Sequence, residues 1–209
     1  MPESVLIIAC GALAREITAL QRTHGWSHVQ LQCLDARLHN RPALIPARLR
    51  ERIRANRDRF DHIFAAYADC GTGGAIDRVL AEEGVERLPG AHCYQFFAGA
   101  ERLEALSASE PGTFFLTDFL ARHFERLVIR PLQIDRHPEL LEAYFGNYRR
   151  LVYLSQVPDD TLLAAAQAAA RRLGLGFEHL NCGYGELETV LQVQVGGYRR
   201  AQEDHHLLA

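Results

Sequence analysis

Residues 5–13 read VLIIACGAL, and this stretch decides the fold class. Val5 to Ala9 is a continuous apolar run rich in β-branched side chains, which is typical of a strand buried on both faces of a parallel sheet. Cys10 and Gly11 interrupt the run, and residues 12–23 then repeat apolar side chains at helical spacing. The chain therefore begins with a strand, a tight turn and a helix, in that order.

The same order recurs along the chain. Strands are predicted at 29–34, 62–68, 85–88, 150–154 and 177–180, and helices at 45–56, 75–83, 95–106, 116–127, 138–144 and 160–173, with a turn at 107–112. Short connections between alternating strands and helices favour right-handed crossovers. We therefore expect an α/β protein with a Rossmann-like parallel sheet and helices on both faces. Residues 1–200 are expected to form one domain followed by a tail at 201–209, with two similar lobes at 1–110 and 111–200 as the alternative.

The composition excludes several functions. All basic residues among the 209 are arginine, so the lysine-dependent Walker A loop, Schiff-base chemistry and pyridoxal phosphate are excluded. The sequence contains no G-x-S-x-G elbow, and serine-hydrolase chemistry therefore has no support.

The charge and the hydropathy pattern restrict partners and location. A net charge of −3 without a basic cluster argues against nucleic acid. No apolar run approaches the roughly 20 residues that a membrane helix requires. The N-terminus lacks the basic start of a secretory signal, so we expect a cytoplasmic protein without membrane contact. We expect its substrate to be a small molecule.

In the first half of the chain, three cysteines follow predicted strands. They are Cys10, Cys70 and Cys93, whereas Cys33 lies inside a predicted strand. Because the carboxyl ends of parallel strands share one edge, the three thiols are expected to converge there. Three thiolates select zinc or an iron–sulfur cluster and leave one coordination position open. The sequence thus predicts a metal centre, and it does not distinguish zinc from a 4Fe–4S cluster.

Two histidines are candidates for completing or orienting this centre. His39 follows the second strand, and His92 precedes Cys93. Cys182 also follows a strand and is a weaker candidate for a fourth ligand. Each thiol taken alone could equally be a small buried side chain.

A glycine-rich loop opens the helix at 75–83. Gly71, Thr72, Gly73 and Gly74 follow Cys70 and could expose backbone N–H groups to an anionic group of a cofactor or substrate. The loop lacks the G-x-G-x-x-G spacing of a dinucleotide site. A turn that needs glycine only for its backbone geometry is the alternative interpretation.

Several motifs together resemble those of a known family. They are IACGAL at 8–13, LHNRP at 38–42, DCGTGG at 69–74, HCY at 92–94 and EPGTFFLTDF at 110–119. The chain resembles a family of uncharacterised microbial proteins with a domain of unknown function, associated with gene neighbourhoods of corrinoid-dependent methylamine and betaine methyltransferases. The resemblance implies a setting in one-carbon or methyl-transfer metabolism, with a corrinoid protein or a methyltransferase as candidate partner.

Three hypotheses remain open from the sequence. The first is a metal-dependent enzyme or accessory protein with Cys10, Cys70 and Cys93 as ligands and an open position for a small substrate. The second is a non-catalytic module that binds a corrinoid or a methyltransferase and merely packs its cysteines. The third is thiol catalysis by Cys70, activated by the following helix N-terminus.

Overall fold

The structure is a computed structural model that describes the backbone of residues 3–206 and the side chains of residues 3–196. Within this range the chain forms seven strands and nine α-helices. The strands are β1 (Val5–Cys10), β2 (Val29–Leu34), β3 (His62–Ala66), β4 (Glu86–Arg87), β5 (Thr113–Thr117), β6 (Arg150–Ser155) and β7 (Gly176–Asn181). The helices are α1 (Ala14–Thr23), α2 (Ile45–Arg54), α3 (Ala75–Glu83), α4 (Tyr94–Ala98), α5 (Ala100–Ser109), α6 (Asp118–Phe124), α7 (Leu140–Phe145), α8 (Asp160–Leu173) and α9 (Gly185–His206).

The first sheet has the strand order β2-β1-β3-β4, and all of its pairs are parallel. Its central strand β1 is buried on both faces, because Val5 to Ala9 are all at most 1% exposed. Leu6 and Ile8 point to one face, where they pack with the apolar side chains of α2 and α3. Val5, Ile7 and Ala9 alternate to the other face. The apolar run that opens the sequence is thus a central strand, as predicted.

The second sheet has the order β5-β6-β7, again with parallel pairs only. One of its faces carries a cluster built from β5, β6, α6, α7 and α8, in which Leu116, Leu151 and Tyr153 are at most 1% exposed. A mixed α/β fold with parallel sheets flanked by helices confirms the predicted Rossmann-like class. The parallel strands are, however, divided between two sheets.

Strand β5 is absent from the sequence prediction, which placed a helix over residues 116–127. Leu116 and Thr117 belong to the strand, and α6 begins at Asp118. Thr117 is the physical boundary, since its extended backbone ends the strand and its hydroxyl accepts a hydrogen bond from the N–H of Leu120 at 3.4 Å. The start of the predicted helix was therefore wrong.

The predicted helix at 95–106 is also different in detail. It consists of α4 and α5, which are separated by Gly99 with φ +79° and ψ 149°. Because this conformation interrupts the helical hydrogen bonds, the chain turns there. Helix α5 then continues to Ser109, so most of the turn predicted at 107–112 is helical.

The chain divides into two compact units. The first unit comprises Met1–Cys93 and Glu186–Ala209, and the second unit comprises Tyr94–Gly185. The sequence-based alternative of two lobes placed the division at 110/111 instead. Helix α9 returns the chain to the first unit and continues to His206, so residues 201–206 of the predicted tail are helical, and 207–209 lie outside the described residues.

None of the helices within residues 3–206 combines the length and the apolar character that crossing a membrane requires.

Candidate functional site

Cys10 and Cys70 lie at the topological switch point of the first sheet, between β1 and β3. The chain places β2 on one side of β1 and β3 on the other. In parallel sheets, ligands bind beyond the carboxyl ends of the strands at such a switch point. Cys10 is the last residue of β1, and Cys70 lies in the loop that follows β3. Two of the predicted metal ligands therefore lie where this fold binds ligands.

Tyr67 lies close to both of these thiols. Ala9 pairs with Ala66 in the β1–β3 ladder, so Tyr67 is next to Cys10 one position further along. Tyr67 is 2% exposed, and its hydroxyl oxygen has no hydrogen-bond partner of ordinary geometry in the described part of the chain. Burial and the neighbouring thiols of Cys10 and Cys70 raise the pKa of the phenol. A buried hydroxyl without a partner is costly and requires an explanation.

Both thiols are protonated at neutral pH. Burial raises the pKa of Cys10, and burial together with the adjacent Cys10 raises the pKa of Cys70 to about 11. Thiol catalysis requires the opposite direction, because the thiolate is the nucleophile. Cys70 also lies five residues before the start of α3 at Ala75, beyond the first turn in which a helix dipole acts. The structure therefore gives no support to Cys70 as an activated nucleophile.

Backbone hydrogen bonds bring the loop before α4 to the same edge. The N–H of Asp69 donates to the carbonyl of Gly90 at 3.1 Å, and the N–H of Cys70 donates to the carbonyl of Ala91 at 2.9 Å. The chain then continues directly to the half-buried Cys93. The loops carrying Cys70 and Cys93 thus run side by side.

The loop after β2 approaches this edge as well. A Cβ atom built on Gly71 would lie 3.9 Å from the ring carbons of Pro42. Partial burial of the ring and the charge of the nearby His92 lower the pKa of His39. His39 and His92 are therefore neighbours in space, although 53 positions separate them.

These side chains do not form a coordination sphere in this structure. No group of three or more His, Cys, Asp or Glu side chains among the described residues is arranged to hold a metal ion. The structure gathers the loops that carry Cys10, Cys70, Cys93, His39 and His92, but it does not assemble them as one set of ligands. Metal coordination by these residues stays a prediction.

The carboxylate of Asp69 occupies hydrogen-bond donors of the glycine-rich loop. Asp69 accepts hydrogen bonds from the N–H groups of Gly73 at 3.1 Å and Gly74 at 2.8 Å, and from the hydroxyl of Thr72 at 2.7 Å. The Thr72 hydroxyl is the main reason why the pKa of Asp69 is lowered. An external anion would have to displace this carboxylate from the N–H groups. Cofactor binding by Gly71, Thr72, Gly73 and Gly74 stays a prediction.

The second sheet carries a buried polar network that the sequence prediction missed. Asp118 is 2% exposed and accepts hydrogen bonds from the Tyr153 hydroxyl at 2.7 Å and from the N–H groups of Gln156 and Val157, both at 3.1 Å. Because residues 116–127 were predicted as one helix, Asp118 was not recognised as the residue that follows a strand. The pair Thr117-Asp118, directly after the apolar run at 114–116, is the signal that could have indicated this position.

Ser155 at the end of β6 and His179 of β7 form another polar contact in the second sheet. The hydroxyl of Ser155, which is 3% exposed, lies 2.9 Å from Nε2 of His179, and the His179 ring stacks on Tyr153 with ring centroids 5.2 Å apart. Both residues were outside the predicted site.

Two further polar side chains have structural partners. Glu188, in the first turn of α9, bonds through its carboxylate to Nε2 of His24 at 2.8 Å. Cys182, the weaker candidate for a fourth ligand, is half-buried in the second unit, and its thiol lies 3.7 Å from the carbonyl oxygen of Leu180.

Comparison with known proteins places the chain in a family without assigning it an activity. No curated protein sequence matches it. A family model matches residues 33–191, a range that includes His39, Cys70, His92 and Cys93 and that begins after Cys10. Because this range covers more than half of the 209 residues, the chain belongs to the family described as protein of unknown function (DUF1638).

Proposed function

We propose that this protein binds zinc or a 4Fe–4S cluster at the carboxyl edge of its first sheet. In this proposal the protein is cytoplasmic and acts as an enzyme or accessory protein in one-carbon or methyl-group metabolism. One observation carries the proposal. The buried hydroxyl of Tyr67 has no hydrogen-bond partner of ordinary geometry among the described residues, and it lies beside two half-buried thiols at the switch point of the sheet. A bound centre at this position would account for all three groups.

The protonation of the thiols is compatible with this role. Burial raises the pKa of Cys10, and burial followed by the charge of Cys10 raises the pKa of Cys70, so both thiols hold their protons more firmly than a free cysteine does. A bound metal ion reverses this preference, and binding releases protons to solution. Cys70 and Cys93 are on adjacent loops, and His39 and His92 are neighbours, so the remaining ligands would come from loops rather than from strands.

Coordination requires these loops to draw inward, because the five side chains do not form a ligand set in the described arrangement. A three-thiolate centre keeps one open position, which would act as a Lewis acid on a substrate thiol or on an oxygen of a small anion. The metabolic setting is supported by the motif resemblance to proteins associated with corrinoid-dependent methyltransferase genes.

Metal analysis of protein purified without oxygen tests the proposal. We expect stoichiometric zinc, or stoichiometric iron with a brown iron–sulfur absorbance, and loss of the metal in each of Cys10→Ser, Cys70→Ser and Cys93→Ser. Cys33→Ser and Cys182→Ser are matched controls, since both positions lie outside the proposed ligand set, and they should retain the metal. Equal metal content in all five variants would rule the centre out.

A second candidate function has one observation in its favour. Cys10 and Cys70 pack against the apolar cluster formed by β1, β3, α2 and α3, as small buried side chains do. In that case the protein is a non-catalytic module that binds a corrinoid or a methyltransferase. A metal-free protein that keeps its full affinity for a corrinoid protein or methyltransferase after all three cysteine substitutions would select this function over the first.

A further inference from the structure

Three arginines follow one another along the segment that joins α6 to a π-helical turn. Arg122 lies in the last turn of α6, Arg126 lies in the π turn Glu125–Ile129, and Arg130 follows that turn. The i→i+5 hydrogen bond from the N–H of Arg130 to the carbonyl of Glu125, at 2.9 Å, marks the wider turn. Residues four apart lie on the same face of a helix, and π turns occur frequently at functional sites.

These arginines line a cleft against α8, which we call the arginine cleft. Its volume is about 490 Å³, which is within the range of small-molecule sites. The α8 side of the cleft carries the small side chains of Ala165, Ala168 and Ala169 together with Arg172. Ala121, His123, Phe124 and Glu125 complete the lining. The small residues leave room between the helices, and four arginines are among the residues that line it.

The charges around the cleft are unbalanced. Arg172 forms an ion pair with Glu125 at 3.4 Å, and this is the one glutamate in the lining. Within the described residues, no carboxylate lies at ion-pair distance from Arg122, Arg126 or Arg130. Four guanidinium groups and one carboxylate leave an excess of three positive charges.

Arg122 has one further electrostatic neighbour. Its charge acts on Tyr153, whose hydroxyl donates to the buried Asp118. The Asp118 carboxylate is already bound by three donors, the Tyr153 hydroxyl and two backbone N–H groups. Among the described residues, the pair of Arg172 with Glu125 is the one ion pair formed by an arginine of the cleft.

We infer that the arginine cleft is a binding site for a small organic phosphate, with a diphosphate group as the best match. Guanidinium groups bind phosphate oxygens through pairs of parallel hydrogen bonds. A diphosphate ester carries two to three negative charges, which matches the excess of three positive charges, whereas a monocarboxylate leaves most of that excess unpaired. This site lies wholly in the second unit and does not depend on the proposed metal centre.

Calorimetric titration of the full chain with inorganic pyrophosphate tests the inference, with sulfate at equal ionic strength as the reference anion. We expect pyrophosphate to bind at least about ten-fold more tightly than sulfate. Arg126→Ala and Arg130→Ala should each weaken pyrophosphate binding by about ten-fold or more. Both side chains are exposed, so the variants should fold, and circular dichroism checks this.

Two further variants separate a site from general surface charge. Ala168→Glu adds a negative charge at an exposed position in the lining and should also weaken binding, whereas Arg136→Ala removes an exposed arginine outside the cleft and should leave it unchanged. Equal binding of pyrophosphate and sulfate, or an equal loss in Arg136→Ala, would overturn the inference. A single-stranded oligonucleotide that binds where pyrophosphate does not would also overturn it.

Discussion

Replacing Tyr67 by phenylalanine should stabilise the metal-free protein. The side chain is 2% exposed, and its hydroxyl has no partner of ordinary geometry in the described chain. Leaving a buried polar group unpaired costs about 1–3 kcal/mol, and Tyr67→Phe removes that group while it keeps the ring. We expect a gain of about 1–2 kcal/mol in the free energy of unfolding, since contact with the Cys10 thiol offsets part of the cost.

Tyr153→Phe is a matched control with the opposite sign. Tyr153 is 1% exposed, but its hydroxyl donates to the Asp118 carboxylate at 2.7 Å. A hydrogen bond to a charged group contributes about 1.5–3 kcal/mol, so this substitution should destabilise the protein by that amount. The two variants remove the same atom from two buried tyrosines, and only the hydrogen bonding of the hydroxyl differs.

Thermal unfolding of chelator-treated protein, followed by calorimetry, measures both changes. For a chain of this length, 1 kcal/mol corresponds to about 2–4 °C in Tm. Tm should therefore rise by roughly 2–8 °C for Tyr67→Phe and fall by roughly 3–12 °C for Tyr153→Phe. A fall in Tm for Tyr67→Phe as large as that for Tyr153→Phe would show that the Tyr67 hydroxyl is well bonded within the protein, and the argument for a bound centre beside it would fail.

Two further predictions concern the loops of the first sheet. The pKa of Asp69 is below its ordinary value of 3.8 in the folded protein, so its contribution to stability should be complete above that pH and be lost as the pH falls through the lowered value. Asp69→Asn should abolish this part of the acid dependence, as measured by urea unfolding at a series of pH values. Iodoacetamide should modify the exposed Cys33 before the half-buried Cys70, because burial helps to raise the pKa of Cys70 to about 11. Mass spectrometry after partial reaction should therefore find the label at Cys33 first. Preferential labelling of Cys70 would mean that its thiol is activated.

The edge that carries the thiols could be predicted from the sequence, whereas their mutual arrangement could not. The run at Val5 to Ala9 indicates a central parallel strand, and parallel strands deliver the residues that follow them to one edge. The direction of the Cys70 side chain, however, depends on a left-handed backbone with φ +51°, which is uncommon for a residue other than glycine. Strand patterns carry no information about such a loop conformation.

The division into two sheets could not be predicted for a related reason. Phe114 to Leu116 are apolar in sequence, and a short apolar run fits a buried strand and a buried helix equally well. Only Thr117, which caps α6, separates the two interpretations. The same error concealed Asp118, because a residue placed inside a helix is not expected at a sheet edge.

Among the described residues, the two sheets differ in whether the hydroxyl of a buried tyrosine has a hydrogen-bond partner. In the second sheet, the Asp118 carboxylate receives three donors, so the network is complete without an added group. In the first sheet, two half-buried thiols with raised pKa values lie beside the buried Tyr67 hydroxyl, and that hydroxyl lacks a partner of ordinary geometry in the described chain. Buried polar groups are usually satisfied, and the contact of the Tyr67 hydroxyl with the Cys10 thiol is a weak substitute for an ordinary hydrogen bond, which is why we propose a bound group at this switch point. The change in Tm is therefore expected to be positive for Tyr67→Phe and negative for Tyr153→Phe, and calorimetry can measure both.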